Sequence, residues 1–499
     1  MAPPTDSPIV VIGAGPAGLT AGYLLAQRGL PVVVLESDPD YVGGISRTAT
    51  YKGYHFDIGG HRFFSKSAQI ENLWSEILPA DLLERPRSSR IYYQGKFYSY
   101  PLKAGEALRN LGAIQAGRCL LSYLKRRLFP IRRPKNLEEW VSNQFGRRLY
   151  EIFFQTYTEK VWGMKCTEIS ADWAAQRIKG LSLSKAILDA CGLKRWVGQE
   201  GSIKTLIHSF RYPRLGPGML WNAAAEKMQA MGGRLEMGVT MERCRFDAAS
   251  RTWTVDVVGA DGRRRSLPAR HVISSAPLRD LVLGLDPAAS PAARAAASAL
   301  KYRDFLTVAV ILRDRGRMHD NWIYIHDPGV RVGRIQNFKS WSPEMVPHPE
   351  TACYGLEYFC FEGDNLWTSP DEQLKALAVD ELVKLGLADR VDVLDGCVVR
   401  QRKAYPVYDD RYKANVQIIK QELKTRFPGL HAIGRNGMHQ YNNQDHSMMT
   451  ACLCVENIAH GDERFDLWKV NEDAEYHEDA GTSNQGASGL RSVPTAAKP

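Results

Sequence analysis

Two runs without a polar residue, Ile9-Val10-Val11-Ile12 and Val32-Val33-Val34-Leu35, stand near the start of the chain. Such short aliphatic runs predict strands buried on both faces, as in a parallel sheet. Between them lies an apolar stretch of helical character, introduced by Gly13-Ala14-Gly15-Pro16-Ala17-Gly18. Further along, the period changes. Leu120, Leu121, Leu124 and Leu128 fall at helical spacing and stop before Pro130, and Leu137–Val141 and Tyr150–Phe154 repeat the pattern. Residues 105–200 are therefore expected to be helical. Residues 232–276 alternate instead: Thr252-Trp253-Thr254-Val255-Asp256-Val257-Val258, with a turn at Gly259–Gly262, predicts a β-meander.

His271-Val272-Ile273-Ser274 then reads as a strand returning to the first sheet, and Leu306–Ile311 as part of a second sheet over 301–360. Leu430–Arg435 predicts another buried strand and Met448–Ile458 a helix. The pattern describes an α/β chain in which a discontinuous Rossmann-like domain (8–104, 201–290 and 425–465) carries an inserted helical domain (105–200). A second, antiparallel-sheet domain follows over 291–424. The end, 466–499, is acidic and then rich in Gly, Ser, Ala and Pro, the composition of a disordered tail.

Composition narrows the picture modestly. The 499 residues are 44% hydrophobic and 24% charged, as in an ordinary globular protein of two or three domains. No run reaches the roughly 20 apolar residues of a membrane span, and residues 1–8 lack the features of a signal peptide. The nine cysteines form no C-x-x-C pair, which argues against zinc and disulfides and for a cytoplasmic setting. The net charge of +10 concentrates between Arg118 and Lys135, where seven basic residues occur without an acid. That run reads as a solvated helix face; no nucleic-acid-binding motif accompanies it.

The chemistry begins at Gly13–Gly18. Gly13 makes the tight turn, Gly15 lets backbone approach a pyrophosphate, and Gly18 lets helix pack on strand. Glu36, closing the second strand, is placed for ribose hydroxyls. Strand, turn, helix, strand and acid in this order predict a dinucleotide site. Asp57-Ile58-Gly59-Gly60-His61 reads as a second turn where backbone comes close to something.

Four further segments then become specific. They are Asp57-Ile58-Gly59-Gly60-His61-Arg62-Phe63-Phe64-Ser65; Lys160-Val161-Trp162 with Trp173 and Arg177; Phe210-Arg211-Tyr212-Pro213-Arg214-Leu215-Gly216; and Gly434-Arg435 through Asn443-Gln444-Asp445-His446-Ser447. In order and spacing, over about residues 8–460, the chain resembles the flavin-dependent nucleotide-sugar mutases of the UDP-galactopyranose mutase family. The resemblance implies FAD, active when reduced, acting through N5 as a nucleophile at the anomeric carbon while pyranose and furanose forms exchange. It places Gly13, Gly15, Ala17, Gly18, Glu36, Ser37, Gly44, Gly60, His61, Val239, Arg435, Asn443, Gln444 and Asp445 at the flavin nucleotide. Asp445 and Ser447 are also plausible as plain helix caps.

The same resemblance gives His61 a place beside N5, where a group of near-neutral pKa suits proton movement. Arg177 and Arg334 become the clamp on the substrate diphosphate, with Tyr324, Tyr405 and Tyr441 as hydroxyl donors. Trp162 and Trp322 line the sugar site, although by residue type either is equally a core aromatic. Tyr100 is left as the platform for the base, because Leu102 and Lys103 replace the aromatic and glutamine of uridine-binding members. Thr158 and Ile207 replace asparagines near the sugar. Base and sugar therefore stay open among UDP, GDP and dTDP sugars. Arg87 and Ser89 match positions that meet NADPH, which makes NAD(P)H the expected reductant. A homo-oligomer is compatible with the sequence, and an FAD-dependent oxidoreductase of the amine-oxidase or desaturase type is the alternative function.

Overall fold

The computed structural model describes residues 7–100, 102–171 and 208–471. Trp173, Arg177, Ile207 and the acidic stretch after Asn471 lie outside the described residues. The first layer is a five-stranded sheet in the order Leu430–Ala432, His271–Ser274, Ile9–Ile12, Val32–Leu35, Arg234–Glu236, with every pairing parallel. Three distant stretches of chain meet in it. Ile9–Ile12 and Val32–Leu35 are buried at every position because helices cover the sheet, among them Pro16–Gln27, Gly218–Ala230 and Gln444–His460. Each aliphatic side chain so buried contributes roughly 1.5–3 kcal/mol.

The predicted meander is present as Val239–Asp247, Thr252–Gly259 and Arg264–Ala269, paired antiparallel. The alternation in the middle strand is realised as buried Trp253, Val255 and Val257 with partly exposed neighbours.

The second sheet has seven strands, in the order Val393–Pro406, Tyr302–Arg313, Thr351–Cys360, Arg334–Asn337, Trp322–Ile325, Ser89–Tyr93, Lys96–Ser99. Its last two strands correct the sequence reading, which assigns residues 89–99 to the nucleotide-binding domain. They join the second sheet instead, Trp322–Ile325 pairing in parallel with Ser89–Tyr92. The physical reason is that this hairpin is apolar on both faces. Tyr92 belongs to the core of the second sheet, whereas Ile91 and Tyr98 pack into the helical cluster with Ile152 and Phe153.

The helical region runs through Ala104–Leu111, Ala113–Leu128, Leu137–Phe145 and Arg147–Tyr150, then a π-helical turn at Glu151–Gln155, then Thr156–Trp162. Leu128 is the last residue of its helix, as Pro130 requires. A second correction falls at the other end. Residues 466–471 are not tail but structure: Leu467 and Val470 are buried against the first core, and Asn471 donates to the Tyr441 carbonyl at 2.8 Å.

Candidate active site

Gly13 sits at φ +93°, and its N–H closes on the Leu35 carbonyl at 2.8 Å. A Cβ at Gly18 would lie 1.8 Å from the Gly13 carbonyl oxygen, so only glycine lets the helix Pro16–Gln27 start here. Gly15 differs. A Cβ there would meet nothing closer than Gly44 Cα at 3.9 Å, so this backbone borders open space at a helix N-terminus, where an anion is favoured. Ala17 is buried, and the nearest atom to a Cβ on Gly434 would be its own Cβ.

Glu36 is almost wholly buried, accepting hydrogen bonds from Ala14 N (2.7 Å) and Asp38 N (2.9 Å), with Ser37 Oγ at 3.2 Å. Val239 N donates to the Glu36 carbonyl at 2.7 Å, which brings the start of the meander to the same spot. Gly13, Gly15, Ala17, Gly18, Glu36, Ser37, Gly44 and Val239 thus border one turn.

The second centre forms where the strand Tyr54–Asp57 ends. Gly59, at φ +96°, faces His61 Cε1 (3.5 Å), Arg334 Nη2 (3.8 Å) and the Tyr405 hydroxyl (3.8 Å), as measured from an idealised Cβ. Asp57 anchors this turn from below, fully buried and accepting from the Tyr212 hydroxyl at 2.5 Å. Gly60 lies against Gln336 and Trp341. Burial, then the charges of Arg435 and Arg334, push the His61 imidazole down to about 3. The ring is therefore neutral at pH 7, not poised to titrate near it as residue type alone suggests.

One face of the second sheet supplies a polar wall. Tyr324, Arg334 and Glu357 are register neighbours on three adjacent strands, and Trp322, Gln336 and Gly355 form the next row. Glu357 is fully buried; Arg334 Nε donates to its Oε2 at 2.6 Å and Gln336 Nε2 to its Oε1 at 2.5 Å. Burial would lower the Arg334 guanidinium, but Glu357 outweighs it and holds the cation above its ordinary value. Burial lifts the Glu357 carboxyl above its usual range even with Arg334 beside it. A carboxylate this deep is tolerable only while its two partners stay.

Aromatic rings fill the space around the wall. Tyr405 and Tyr441 stack at 6.3 Å with Arg435 over both, and Trp162 contacts Tyr441 at 6.4 Å. Tyr100 packs on Tyr324 at 5.0 Å. Arg87 lies over Tyr100 and Trp322 and donates to the Tyr100 carbonyl at 3.3 Å, so it shares the Tyr100 wall; Ser89 starts the neighbouring strand.

The helix Gln444–His460 starts beneath His61–Ser65. Gln444 Nε2 donates to the Arg62 carbonyl (3.0 Å) and Ser65 Oγ to Asp445 (3.1 Å). Its N-cap is Asn443, whose N–H donates to His446 Nδ1, so Asp445 and Ser447 are first-turn residues and not the caps. Arg435 Nε donates to the Asn442 carbonyl at 2.8 Å, closing the loop before it.

These placements join Tyr100, Trp162, Trp322, Tyr324, Arg334, Tyr405, Tyr441 and Arg435 around His61; Arg177 lies outside the described residues. Three residues given no role in the sequence reading belong with them. Glu357 is one, legible as the lone carboxylate within the apolar strand Thr351–Cys360. Tyr157 is half-buried, stacked on His326 at 5.0 Å and edge-on to Tyr324. Lys160 Nζ donates to the Ile325, Asp327 and Val332 carbonyls, tying the helix Thr156–Trp162 to the wall's loop; burial pushes it down to about 8.

The residues fit a flavin dinucleotide. Gly15 leaves room for a pyrophosphate at the helix start, and Glu36 lies where a ribose would follow. His61 Nδ1 and Gln444 Oε1 are buried polar atoms with no hydrogen-bond partner among the described residues.

Comparison with known proteins agrees on the class. The family model for flavin containing amine oxidoreductases matches residues 16–416. A Klebsiella pneumoniae protein described as "Probable UDP-galactopyranose mutase" is 25% identical over 171 residues, 33% of this chain and 43% of that one. A Mycobacterium tuberculosis "Putative flavin-containing monoamine oxidase" is 27% identical over 256 residues, 48% of this chain and 54% of the relative. The chain spans 9% of an inactive all-trans-retinol 13,14-reductase of Danio rerio, so the matches cover about half or less of these curated relatives.

Among solved structures, reduced UDP-galactopyranose mutase superposes with a TM-score of 0.77 at 21% identity, over 91% of this chain and 94% of the other. Putrescine oxidase superposes at 0.59 and 14%, over 91% and 99%. At these identities the likeness is one of fold. The family match covers most of the sequence, from Pro16 at the start of the first helix through the inserted helices and the polar wall, and the chain belongs to the flavin containing amine oxidoreductase family.

Proposed function

We propose that the protein is an FAD-dependent isomerase that interconverts the pyranose and furanose forms of a nucleotide-diphosphate sugar. The observation that supports it is the charge beside His61: Arg334, held by the fully buried Glu357, and Arg435 both act on that imidazole. Two guanidinium groups in a sheltered site suit a departing diphosphate, whose charge grows in the transition state. They suit a cationic amine poorly.

Reduced FAD, when bound, supplies the nucleophile that takes the anomeric carbon. Arg334 is oriented by Glu357 to meet the diphosphate, and Arg177 is the proposed second cation. The hydroxyls of Tyr324, Tyr405 and Tyr441 offer further donors to the same group, while Trp162 and Trp322 wall the sugar. His61, neutral at pH 7, donates from one ring nitrogen and accepts at the other, which suits positioning a flavin atom and passing a proton beside it. NAD(P)H is the proposed reductant, with Arg87 and Ser89 as its contacts.

A second reading, an oxidase or desaturase, draws support from the family match and the monoamine oxidase relative. One experiment separates them. Dithionite-reduced holoenzyme incubated anaerobically with UDP-, GDP- and dTDP-sugars should form furanose product from one of them. The oxidised enzyme with amines should release no peroxide. Peroxide release without any furanose product would sink the isomerase.

A further inference from the structure

The helix Ala113–Leu128 is amphipathic the wrong way round for a helix that only covers a core. Cys119 and Tyr123 are buried beneath it. On the opposite face Ile114, Leu121 and Leu128 recur every seven residues and are 76%, 69% and 73% exposed. Leu124 extends the stripe, and Phe129, 71% exposed, ends it. At 3.6 residues per turn these side chains fall within one solvent-facing sector.

Arg118 and Lys125 flank that sector on one side and Arg127 on the other, and all three are exposed. Arg132, Arg133 and Lys135, also exposed, continue the positive charge past Pro130. No acid interrupts the sequence from Ile114 to Lys135. Two acids of the helical region are already engaged: Glu151 pairs with Arg147 and Arg148, and Glu139 accepts from Lys135 N. An apolar stripe between rows of cations, left in water, is the arrangement of a helix that lies in a membrane interface.

We propose that this face, Ile114 to Lys135, docks the protein on a bilayer surface bearing anionic lipid. The leucines, Ile114 and Phe129 enter the headgroup boundary, and the arginines and lysines meet the lipid phosphates. Among the described residues no helix is long and apolar enough to cross a membrane, so the attachment is peripheral and reversible. A second copy of the chain is a poorer occupant. Two such faces meeting would set six exposed cations against six, whereas an anionic surface neutralises them.

The test uses the full-length holoenzyme and vesicles of phosphatidylcholine with or without an equal part of phosphatidylglycerol. Flotation with the anionic vesicles is expected, falling at least about tenfold without phosphatidylglycerol or at about 0.5 M salt. The Leu121→Asp/Leu124→Asp/Leu128→Asp variant should lose at least about tenfold in partitioning, with flavin absorbance and melting temperature unchanged. The Arg118→Gln/Lys125→Gln/Arg126→Gln/Arg127→Gln variant should lose its dependence on phosphatidylglycerol. The proposal fails if the protein does not float with anionic vesicles, or floats equally after both sets of substitutions. It also fails if light scattering shows a dimer that the leucine variant dissolves.

Discussion

The glycine turn and the polar wall both hold charge, by opposite means. At Gly13–Gly18 six consecutive residues present backbone and a helix N-terminus, with no formal charge buried beyond Glu36, which two backbone N–H groups satisfy. At the wall, Tyr324, Arg334 and Glu357 come from three strands, and a fully buried carboxylate stands under a guanidinium. The turn depends on the absence of side chains, at the entropic cost that ordering glycine carries. The wall depends on their presence and on a costly burial, since removing one partner of a buried pair strands the other. Such a pair is weak evidence of stability, which favours a role in binding.

Substitution at the turn should produce the largest effect. Gly18→Ala drives a methyl into the Gly13 carbonyl, and a loss on the order of 4–5 kcal/mol is expected, with no FAD retained on purification. Gly15→Ala meets only Gly44 at 3.9 Å, so chemical denaturation should find stability within about 1 kcal/mol while FAD affinity falls. Equal loss of stability in both variants would erase the distinction between a packing glycine and a ligand-facing one.

At the wall, Arg334→Ala leaves Glu357 with Gln336 alone and should cost about 3 kcal/mol, the low end for a buried pair because Arg334 keeps some exposure. Adding Glu357→Leu should recover much of that stability without restoring nucleoside diphosphate binding by calorimetry. Restored binding in the double variant would place the diphosphate elsewhere.

The smallest effect separates the two regions by pH. The His61 imidazole sits at about 3 in the folded protein against an ordinary 6.5, so its contribution is present above pH 6.5 and is lost as pH falls toward 3. His326, also pushed to about 3 by burial and Lys160, acts in the same sense. The melting temperature should therefore decline below pH 6.5, and less steeply in His61→Asn. The backbone donors of the turn have no proton to gain, so Gly15→Ala should leave that slope unchanged.

The turn was readable because its function is local. Strand, glycines, helix and acid lie within one stretch of sequence, and each residue type answers one steric demand. The wall was readable only through a family resemblance that supplied Arg334, Tyr324 and the stacked tyrosines. Glu357 was missed although a single acid in an apolar strand is a signal, because the sequence does not say which cation it meets. Tyr157 was missed, and Lys160 was read only as part of the Lys160-Val161-Trp162 segment, because their roles depend on residues more than 160 positions away. The hairpin at Ser89–Ser99 went to the wrong domain for a related reason: an apolar strand shows that it must be covered, not by what.

By itself the sequence determined the parallel strands, the dinucleotide turn, the meander and the basic amphipathic helix, because period and glycine placement act through neighbours along the chain. Only the tertiary structure decided which face of that helix stays in water, which sheet takes the hairpin, and that His61 is neutral between two arginines. Burial and long-range charge depend on distances through space, and the order of residues along the chain does not fix them.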